Sequence, residues 1–199
     1  MKVIVITNQV PPKIKDLIEI NDEDYVIVVD GAFDSVLKQK IKIDLVVGDF
    51  DSVKNVKKLK KYKLHQLEKE KDETDTKVAI DLAYSMSQHV ILIGGIQGNR
   101  IEHFLANLTI FKQYNNLLII DNNSKIYLLS KGKHLIEKNN YISFFGYNEA
   151  IISLENFKYP LKQYQLNNFD PLCISNEVNN IYGEVHIYSG QVIVIETKK

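Results

Sequence analysis

Residues 45–52 read Leu-Val-Val-Gly-Asp-Phe-Asp-Ser, a short apolar run that ends in a glycine and delivers two aspartates, Asp49 and Asp51. Such a run is typical of a buried β-strand, because successive Leu and Val residues leave no polar face for water. In open α/β sheets the chemistry lies at the carboxyl ends of the strands. The two aspartates therefore mark a candidate site.

Two further acidic segments follow strand-like runs in the same way. Asp30 follows the run at 25–29, and the acidic segment 70–75 follows His65-Gln66-Leu67 and opens a helical pattern. A sheet would bring to one edge the carboxylates of Asp30, Asp49, Asp51, Asp72 and Asp75. Like charges a few ångströms apart repel unless a cation joins them. Oxygen ligands without a His or Cys cluster favour magnesium, calcium or manganese over zinc.

A glycine-rich turn connects another strand-like run to a helix-like one. Residues 93–100 read Ile-Gly-Gly-Ile-Gln-Gly-Asn-Arg. Glycines let backbone N–H groups approach an anion at a helix N-terminus, and Arg100 would add bidentate phosphate contacts. On its own such a turn indicates only a tight connection. At the same sheet edge as the acidic segments, it predicts a metal–polyphosphate site, although the chain has neither a P-loop nor the protein-kinase motifs.

The order of the apolar runs predicts the fold class. The first part alternates strand-like runs, at 3–7, 25–29, 45–47, 90–93 and 117–120, with helical spacing at 32–40, 75–87 and 102–114. This alternation predicts an α/β domain with a mostly parallel sheet and flanking helices. Beyond residue 121 we find only β-type stretches, separated by turn residues such as Lys131-Gly132 and Ser189-Gly190. They predict an antiparallel all-β sandwich or barrel-like domain. We expect one domain over residues 1–121 and a second over residues 122–199.

The bulk composition excludes some classes of protein. Lys+Arg and Asp+Glu balance at 25 each, so the chain lacks the basic excess of a protein whose main partner is nucleic acid or an anionic membrane. Cys173 is the only cysteine, so no internal disulfide can form. No apolar run approaches the roughly 20 residues of a membrane span. We expect a cytoplasmic protein with no nucleic-acid or membrane partner.

The motifs resemble those of thiamine pyrophosphokinases, in the family's order and spacing over nearly the whole chain. The matching segments are Asp30-Gly31-Ala32, Gly48-Asp49-Phe50-Asp51-Ser52, Lys71-Asp72-Glu73-Thr74-Asp75, Gly98-Asn99-Arg100-Ile101-Glu102-His103 with Asn107, Lys158-Tyr159-Pro160-Leu161 and Ser175-Asn176-Glu177. The resemblance implies an α/β nucleotide-binding domain followed by a β-sandwich, in a homodimer whose active sites lie between subunits. It also implies Mg²⁺-dependent transfer of a pyrophosphoryl group from ATP to the hydroxyl of thiamine, with release of AMP.

The same resemblance implies roles for individual residues. Asp49, Asp51 and Asp75 correspond to magnesium ligands, and Asp30 and Arg100 complete the catalytic set. The expected contacts of the ATP phosphates are Asp30, Asp72, Thr74, Arg100 and Glu102. The expected contacts of thiamine, from the β domain, are Tyr159, Ser175 and Asn176. Glu102 stands where the family usually has Asp, and Asn99 replaces a frequent glycine.

Other interpretations of these residues stay open. Residues 49–53, Asp-Phe-Asp-Ser-Val, also fit the Asp-x-Asp-x-Val/Thr loop of haloacid-dehalogenase-type phosphatases, although that loop follows the first strand of their core and this one follows the third. A second alternative is a non-catalytic regulatory protein that binds a nucleotide and uses the β domain for partner contacts. The chain keeps every acidic residue of the motifs quoted above, which argues against this alternative. Thr74 also fits a purely structural role as the N-cap of a helix.

Overall fold

The chain divides into two compact units, Met1–Asn122 and Asn123–Lys199, which we call the N-terminal and C-terminal units. The computed structural model describes residues 1–98, 100–168 and 170–199, so Asn99, where the family often has glycine, lies outside the described residues. Among the helices of that described part, none has the length and apolar character that crossing a bilayer requires.

The N-terminal unit is a parallel sheet with helices packed on it. Its strands are β1 (Val3–Ile6), β2 (Tyr25–Val29), β3 (Leu45–Gly48), β4 (Leu64–Gln66), β5 (Val90–Ile93) and β6 (Leu118–Ile120). Its helices are α1 (Ala32–Lys38), α2 (Val56–Leu59), α3 (Asp75–Met86) and α4 (Ile101–Thr109). The strands pair in the order β6-β5-β1-β2-β3-β4, and every pair is parallel. The predicted parallel sheet with flanking helices is confirmed.

The register of this sheet brings several strand ends to one level. Ile6 of β1 pairs with Val28 of β2 and with Ile93 of β5, and Val29 pairs with Val47 of β3. The strands are buried along β1 and β3 because helices cover the sheet. The residues that directly follow these strands therefore meet at the carboxyl edge of the sheet.

Helix α3 begins directly after the acidic segment. Thr74 is its N-cap, and the side chain of Thr74 accepts a hydrogen bond from the N–H of Lys77 at 3.1 Å. The buried residues Ala79, Ile80 and Ala83 recur at helical spacing and form the face that packs on the sheet. The N-cap interpretation of Thr74 is thus confirmed, and its predicted contact with phosphate stays a prediction.

The named strands of the C-terminal unit pair antiparallel. Its strands are β7 (Ser124–Glu137), β8 (Asn140–Gly146), β9 (Ala150–Glu155), β10 (Leu161–Leu166) and β11 (Tyr182–Lys198). Strand β11 pairs with β7 along its length, with β9 through its first part and with β8 through its last part. Both parts of β11 contribute to one core, through Val185 and Val194 among others. An all-β domain of the predicted class is confirmed.

Two predicted turns in this unit are wrong. Lys131-Gly132 lies inside β7, and Ser189-Gly190 lies inside β11, where the pairing shifts register and continues. At Gly190 φ is +75°, and a Cβ would lie 2.1 Å from the carbonyl oxygen of Glu149, so only glycine fits this bulge. The β-type stretches on the two sides of Ser189-Gly190 are therefore one bent strand, because a glycine marks a bulge as readily as a turn.

Candidate active site and metal centre

The turns after β2 and β3 place three carboxylates together. Ligand oxygens of Asp30, Asp49 and Asp51 lie within 4.8 Å of one another. The N–H of Asp30 donates to the carbonyl of Val47 at 2.8 Å, which extends the β2–β3 pairing to the site. Gly48 is needed here, because φ is +152° and a Cβ would lie 2.9 Å from the Cβ of Asp30. The close approach of the two strand ends thus creates the acidic cluster.

The loop between Asp49 and Asp51 reverses sharply. Phe50 has φ +65°, and its side chain packs against the hydrophobic core of the unit. The N–H of Asp51 donates to Oδ1 of Asp49 at 3.1 Å, and Oγ of Ser52 donates to Oδ1 of Asp51 at 3.0 Å. The packed Phe50 ring thus holds a backbone conformation that a bulky residue adopts only at a cost, which is common at functional sites.

Asp30 lies in the least solvated part of the cluster. Its side chain is 7% exposed, and its Oδ1 is buried without a hydrogen-bond partner in the described part of the chain. Burial raises the pKa of Asp30, the backbone N–H of Gly31 opposes this, and the charges of Asp49 and Asp51 raise it further. A cation would satisfy the unpartnered oxygen and remove the repulsion. The all-oxygen donor set fits Mg²⁺ or another hard divalent cation.

Asp51 is electrostatically different from Asp30. A hydrogen bond from Ser52 and the ammonium group of Lys69, 3.6 Å away, hold the pKa of Asp51 below its ordinary value. Asp51 therefore stays ionised in mildly acidic solution, as a metal ligand requires.

Asp75, the third predicted metal ligand, lies outside this group of three. Its Oδ1 is buried, and the Nζ of Lys71 lies 2.7 Å from it as an ion pair. Asp72 is exposed, and together with Thr74 it borders a recess of about 570 Å³ beside the end of α4. A metal role for Asp75 and phosphate roles for Asp72 and Thr74 therefore stay predictions.

A polar cleft of about 300 Å³ lies in the same unit. It is lined by Thr7, Asn8, Gln9, Thr76, Gly95, Gln97, Gly98, Arg100, His103 and Asn107. Most of these side chains are uncharged donors and acceptors, which suits the sugar and base of a nucleotide, and the guanidinium group of Arg100 suits a phosphate. A Cβ at Gly31 would lie 3.3 Å from Oδ1 of Asn8, so the cleft reaches the turn that carries Asp30.

The glycine turn has tighter packing than the sequence indicates. The N–H groups of Gly94 and Gly95 donate to the carbonyls of Ile120 and Asn8, both at 2.9 Å, so these two N–H groups are not available to an anion. At Gly95 a Cβ would lie 2.5 Å from Nδ2 of Asn107, which itself donates to the carbonyl of Gly95 at 3.0 Å. Glycine is needed because α4 and the β1 loop approach the backbone closely.

Arg100 and Glu102 form an exposed pair at the start of α4. Nε of Arg100 donates to Oε1 of Glu102 at 2.8 Å, and this hydrogen bond lowers the pKa of Glu102. Both side chains are largely exposed to solvent. Contacts of either residue with ATP stay predictions.

The predicted thiamine contacts lie in the C-terminal unit. Asn176 is 2% exposed; its Oδ1 accepts from the N–H of Tyr159 at 3.0 Å, and its Nδ2 donates to the carbonyl of Tyr159 at 2.8 Å. Asn176 therefore holds the backbone that carries Tyr159. The ring of Tyr159 is 58% exposed and borders a recess of about 160 Å³. Ser175 is exposed, and its N–H donates to Oγ of Ser143 at 3.0 Å.

Sequence reasoning missed Thr7 and Thr76 among the cleft residues. Thr7 directly follows β1, the central strand, so the strand-end rule that found the aspartates applied to it as well. An uncharged hydroxyl next to a strand gives a weaker signal than an unpaired carboxylate, because threonine is common in strands.

Two family models match consecutive parts of the chain. The model "Thiamin pyrophosphokinase, catalytic domain" matches residues 18–128. The model "Thiamin pyrophosphokinase, vitamin B1 binding domain" matches residues 129–193. Among curated proteins, the thiamine pyrophosphokinase of Bacillus subtilis (strain 168) is 34% identical over 163 residues, which cover 75% of this chain and 76% of that protein.

Solved structures show the same fold. A crystal structure of thiamine pyrophosphokinase from Bacillus subtilis matches with a TM-score of 0.87 and 26% identity, over 100% of both chains. A thiamin pyrophosphokinase family protein from Enterococcus faecalis matches over 100% of both chains with a TM-score of 0.84, and at 24% identity it supports the fold alone. Because the two family models together span most of its length and a curated relative shares a third of the aligned residues, the chain belongs to the thiamine pyrophosphokinase family of diphosphate transferases.

Proposed function

We propose that this enzyme transfers a pyrophosphoryl group from ATP to the hydroxyl of thiamine in a Mg²⁺-dependent reaction, giving thiamine diphosphate and AMP. The acidic cluster of Asp30, Asp49 and Asp51 carries the proposal, because its buried unpartnered oxygen and all-oxygen donors fit a hard cation. Family membership supports thiamine as the acceptor. The polar cleft beside the cluster supports a nucleotide as the donor.

In this mechanism the protein mainly positions charged groups. Asp49, Asp51 and Asp75 would hold Mg²⁺, which supplies positive charge to the phosphate oxygens during in-line attack. Arg100 would bind a phosphate through its guanidinium group. Asp30, whose carboxylate lies within 4.8 Å of Asp49 and Asp51, would accept the proton that the thiamine hydroxyl loses. The hydroxyl oxygen forms a bond to Pβ, the bond from Pβ to the oxygen on Pα breaks, and AMP leaves.

The C-terminal unit would bind the thiamine. Thiamine is an aromatic cation, and the exposed ring of Tyr159 offers it a π face. Asn176 would act by fixing the backbone of Tyr159, since both ends of its amide are bonded to that backbone. The hydroxyl of Ser175 would complete the contact.

Product analysis tests the reaction. We expect AMP and thiamine diphosphate in equal amounts from ATP, Mg²⁺ and thiamine, because the family transfers a diphosphate as one unit. The β,γ-methylene analogue of ATP should still serve as donor, and the α,β-methylene analogue should not, because only the latter blocks the bond that breaks. Formation of ADP with thiamine monophosphate, or of phosphate without thiamine, would contradict the proposal.

We further propose a cytoplasmic homodimer whose active sites combine residues of both subunits. The resemblance supports the dimer. The lone Cys173, buried and with a pKa raised to about 11 by burial and by Asp170, suits a reducing compartment.

Mixed dimers test the shared site. Asp51→Asn chains and Tyr159→Ala/Ser175→Ala chains should each be inactive alone. After random mixing about half the dimers are mixed and each holds one intact site, so activity should return to roughly a quarter of the wild-type value. A lack of recovery in verified mixed dimers would place the thiamine contacts within one subunit.

A further inference from the structure

The hydroxyls of Thr7 and Thr76 form a buried hydrogen bond at the floor of the polar cleft. Their Oγ1 atoms lie 2.7 Å apart, and the residues are 3% and 7% exposed. Thr7 directly follows β1, and Thr76 is the second residue of α3. The bond therefore joins two segments that lie 69 residues apart in the chain.

This bond connects the first turn of α3 with the glycine turn. Thr76 is next to Asp75 and close to the N-cap Thr74. A Cβ at Gly95 would lie 2.9 Å from Cγ2 of Thr7, so the methyl group of Thr7 lies against that turn. The Thr7–Thr76 contact is thus a side-chain hydrogen bond from the first turn of α3 to the end of a parallel strand.

Two hydroxyls can approach more closely than apolar groups can. The two Oγ1 atoms lie 2.7 Å apart because a hydrogen bond joins them, whereas two methyl groups in the same places would need a separation of about 3.5 to 4 Å. A hydrogen bond is also directional, so it fixes the relative placement of its two groups. The pair therefore holds the first turn of α3 closer to the end of β1 than apolar side chains of the same size could.

We propose that the Thr7–Thr76 hydroxyl pair is a positioning device for the diphosphate-transfer site. It sets the first turn of α3, and with it Thr74 and Asp75, against the glycine turn. The inference rests on the proposed function, which gives those residues their contacts with phosphate and metal. Because a misplacement of about 1 Å can lower a rate by about 100-fold, loss of the bond should slow turnover without weakening thiamine binding.

The decisive experiment compares serine and alanine at Thr7 and at Thr76. Both substitutions remove the methyl group, and only alanine also removes the hydroxyl, so each serine and alanine pair isolates the hydrogen bond. Each alanine variant should have a kcat about tenfold or more below that of its serine counterpart, with an unchanged KM for thiamine, at a temperature well below the melting temperature of both. Its affinity for the Mg²⁺ complex of α,β-methylene-ATP, measured by titration calorimetry, should fall as well.

The double alanine variant shows whether the two hydroxyls act as one unit. If they act through their shared bond, Thr7→Ala/Thr76→Ala should turn over about as fast as the slower single alanine variant, without multiplying the two losses. Equal kcat values for the serine and alanine variants would overturn the inference, and so would multiplied losses in the double variant. Failure of the wild type to form thiamine diphosphate would instead overturn the proposed function.

Discussion

Asp51→Asn is expected to lower turnover by at least about 100-fold, because removing one ligand charge from a metal site withdraws several kcal/mol of transition-state stabilisation. Asp51 is half exposed, and its charge adds to the repulsion felt by Asp30, so the fold should persist. The measurement is kcat across a titration of Mg²⁺, together with the melting temperature. Asp16→Asn is the matched control, since Asp16 is an exposed aspartate of the same unit that also pairs with a lysine, Lys13, at 4.0 Å.

Near-normal turnover of Asp51→Asn at all Mg²⁺ concentrations would remove Asp51 from the metal centre. Asp75→Asn extends the same test to the residue outside the acidic cluster. If Asp75 is a ligand, its variant should show the same dependence on Mg²⁺. If it serves only to pair with Lys71 at 2.7 Å, turnover should depend on Mg²⁺ as in the wild type.

Asp30→Asn should be inactive and yet more stable than the wild type when the metal is removed. The pKa of Asp30 is raised in the folded state, so its stabilising contribution is present at low pH and is lost as the pH rises through that pKa. At neutral pH the ionised, buried carboxylate destabilises the fold, and an uncharged amide of the same shape relieves this. We expect a melting temperature in EDTA that is higher by roughly 2 to 4 °C, with a difference that shrinks toward acidic pH.

Asp24→Asn is the matched control for this prediction, with the opposite expected sign. Asp24 is 3% exposed, yet hydrogen bonds from the N–H groups of Lys2 and Asn21 and the ammonium of Lys2 outweigh burial and lower its pKa. Asp24→Asn should therefore destabilise the protein at neutral pH. Equal stability changes at both positions, or an active Asp30→Asn enzyme, would contradict the electrostatic account.

The convergence of Asp30, Asp49 and Asp51 could be predicted from sequence, because residues that follow neighbouring parallel strands must meet at one edge. Elements without an apolar run give a weaker signal. Strand β4 has three exposed residues, and the sequence indicates it only through the run His65-Gln66-Leu67, whereas α2 is a single turn that no pattern predicts. Strand β10 likewise lacks an apolar run, because only Leu166 of its residues is buried.

Details of the site depended on packing that the sequence does not display. The amide of Asn176 is buried because it bonds to the backbone of Tyr159, which is distant in sequence. The N–H groups of Gly94 and Gly95 likewise donate to carbonyls of residues distant in sequence. The Thr7–Thr76 pair is of this kind as well, since its partners are separated by 69 positions. Local sequence patterns therefore predict where the site lies. Contacts between residues distant in sequence determine which of its atoms remain available to a ligand.

Strand β11 also has a consequence for biosynthesis. It is the common partner of β7, β8 and β9, and it follows all three in chain order, at Tyr182–Lys198. During translation the C-terminal unit cannot close its core until residues 182–198 have left the ribosome, whereas all strands of the N-terminal unit have been made by Ile120. A stop codon before residue 182 would leave β7, β8 and β9 without this partner, and unpaired strand edges promote aggregation.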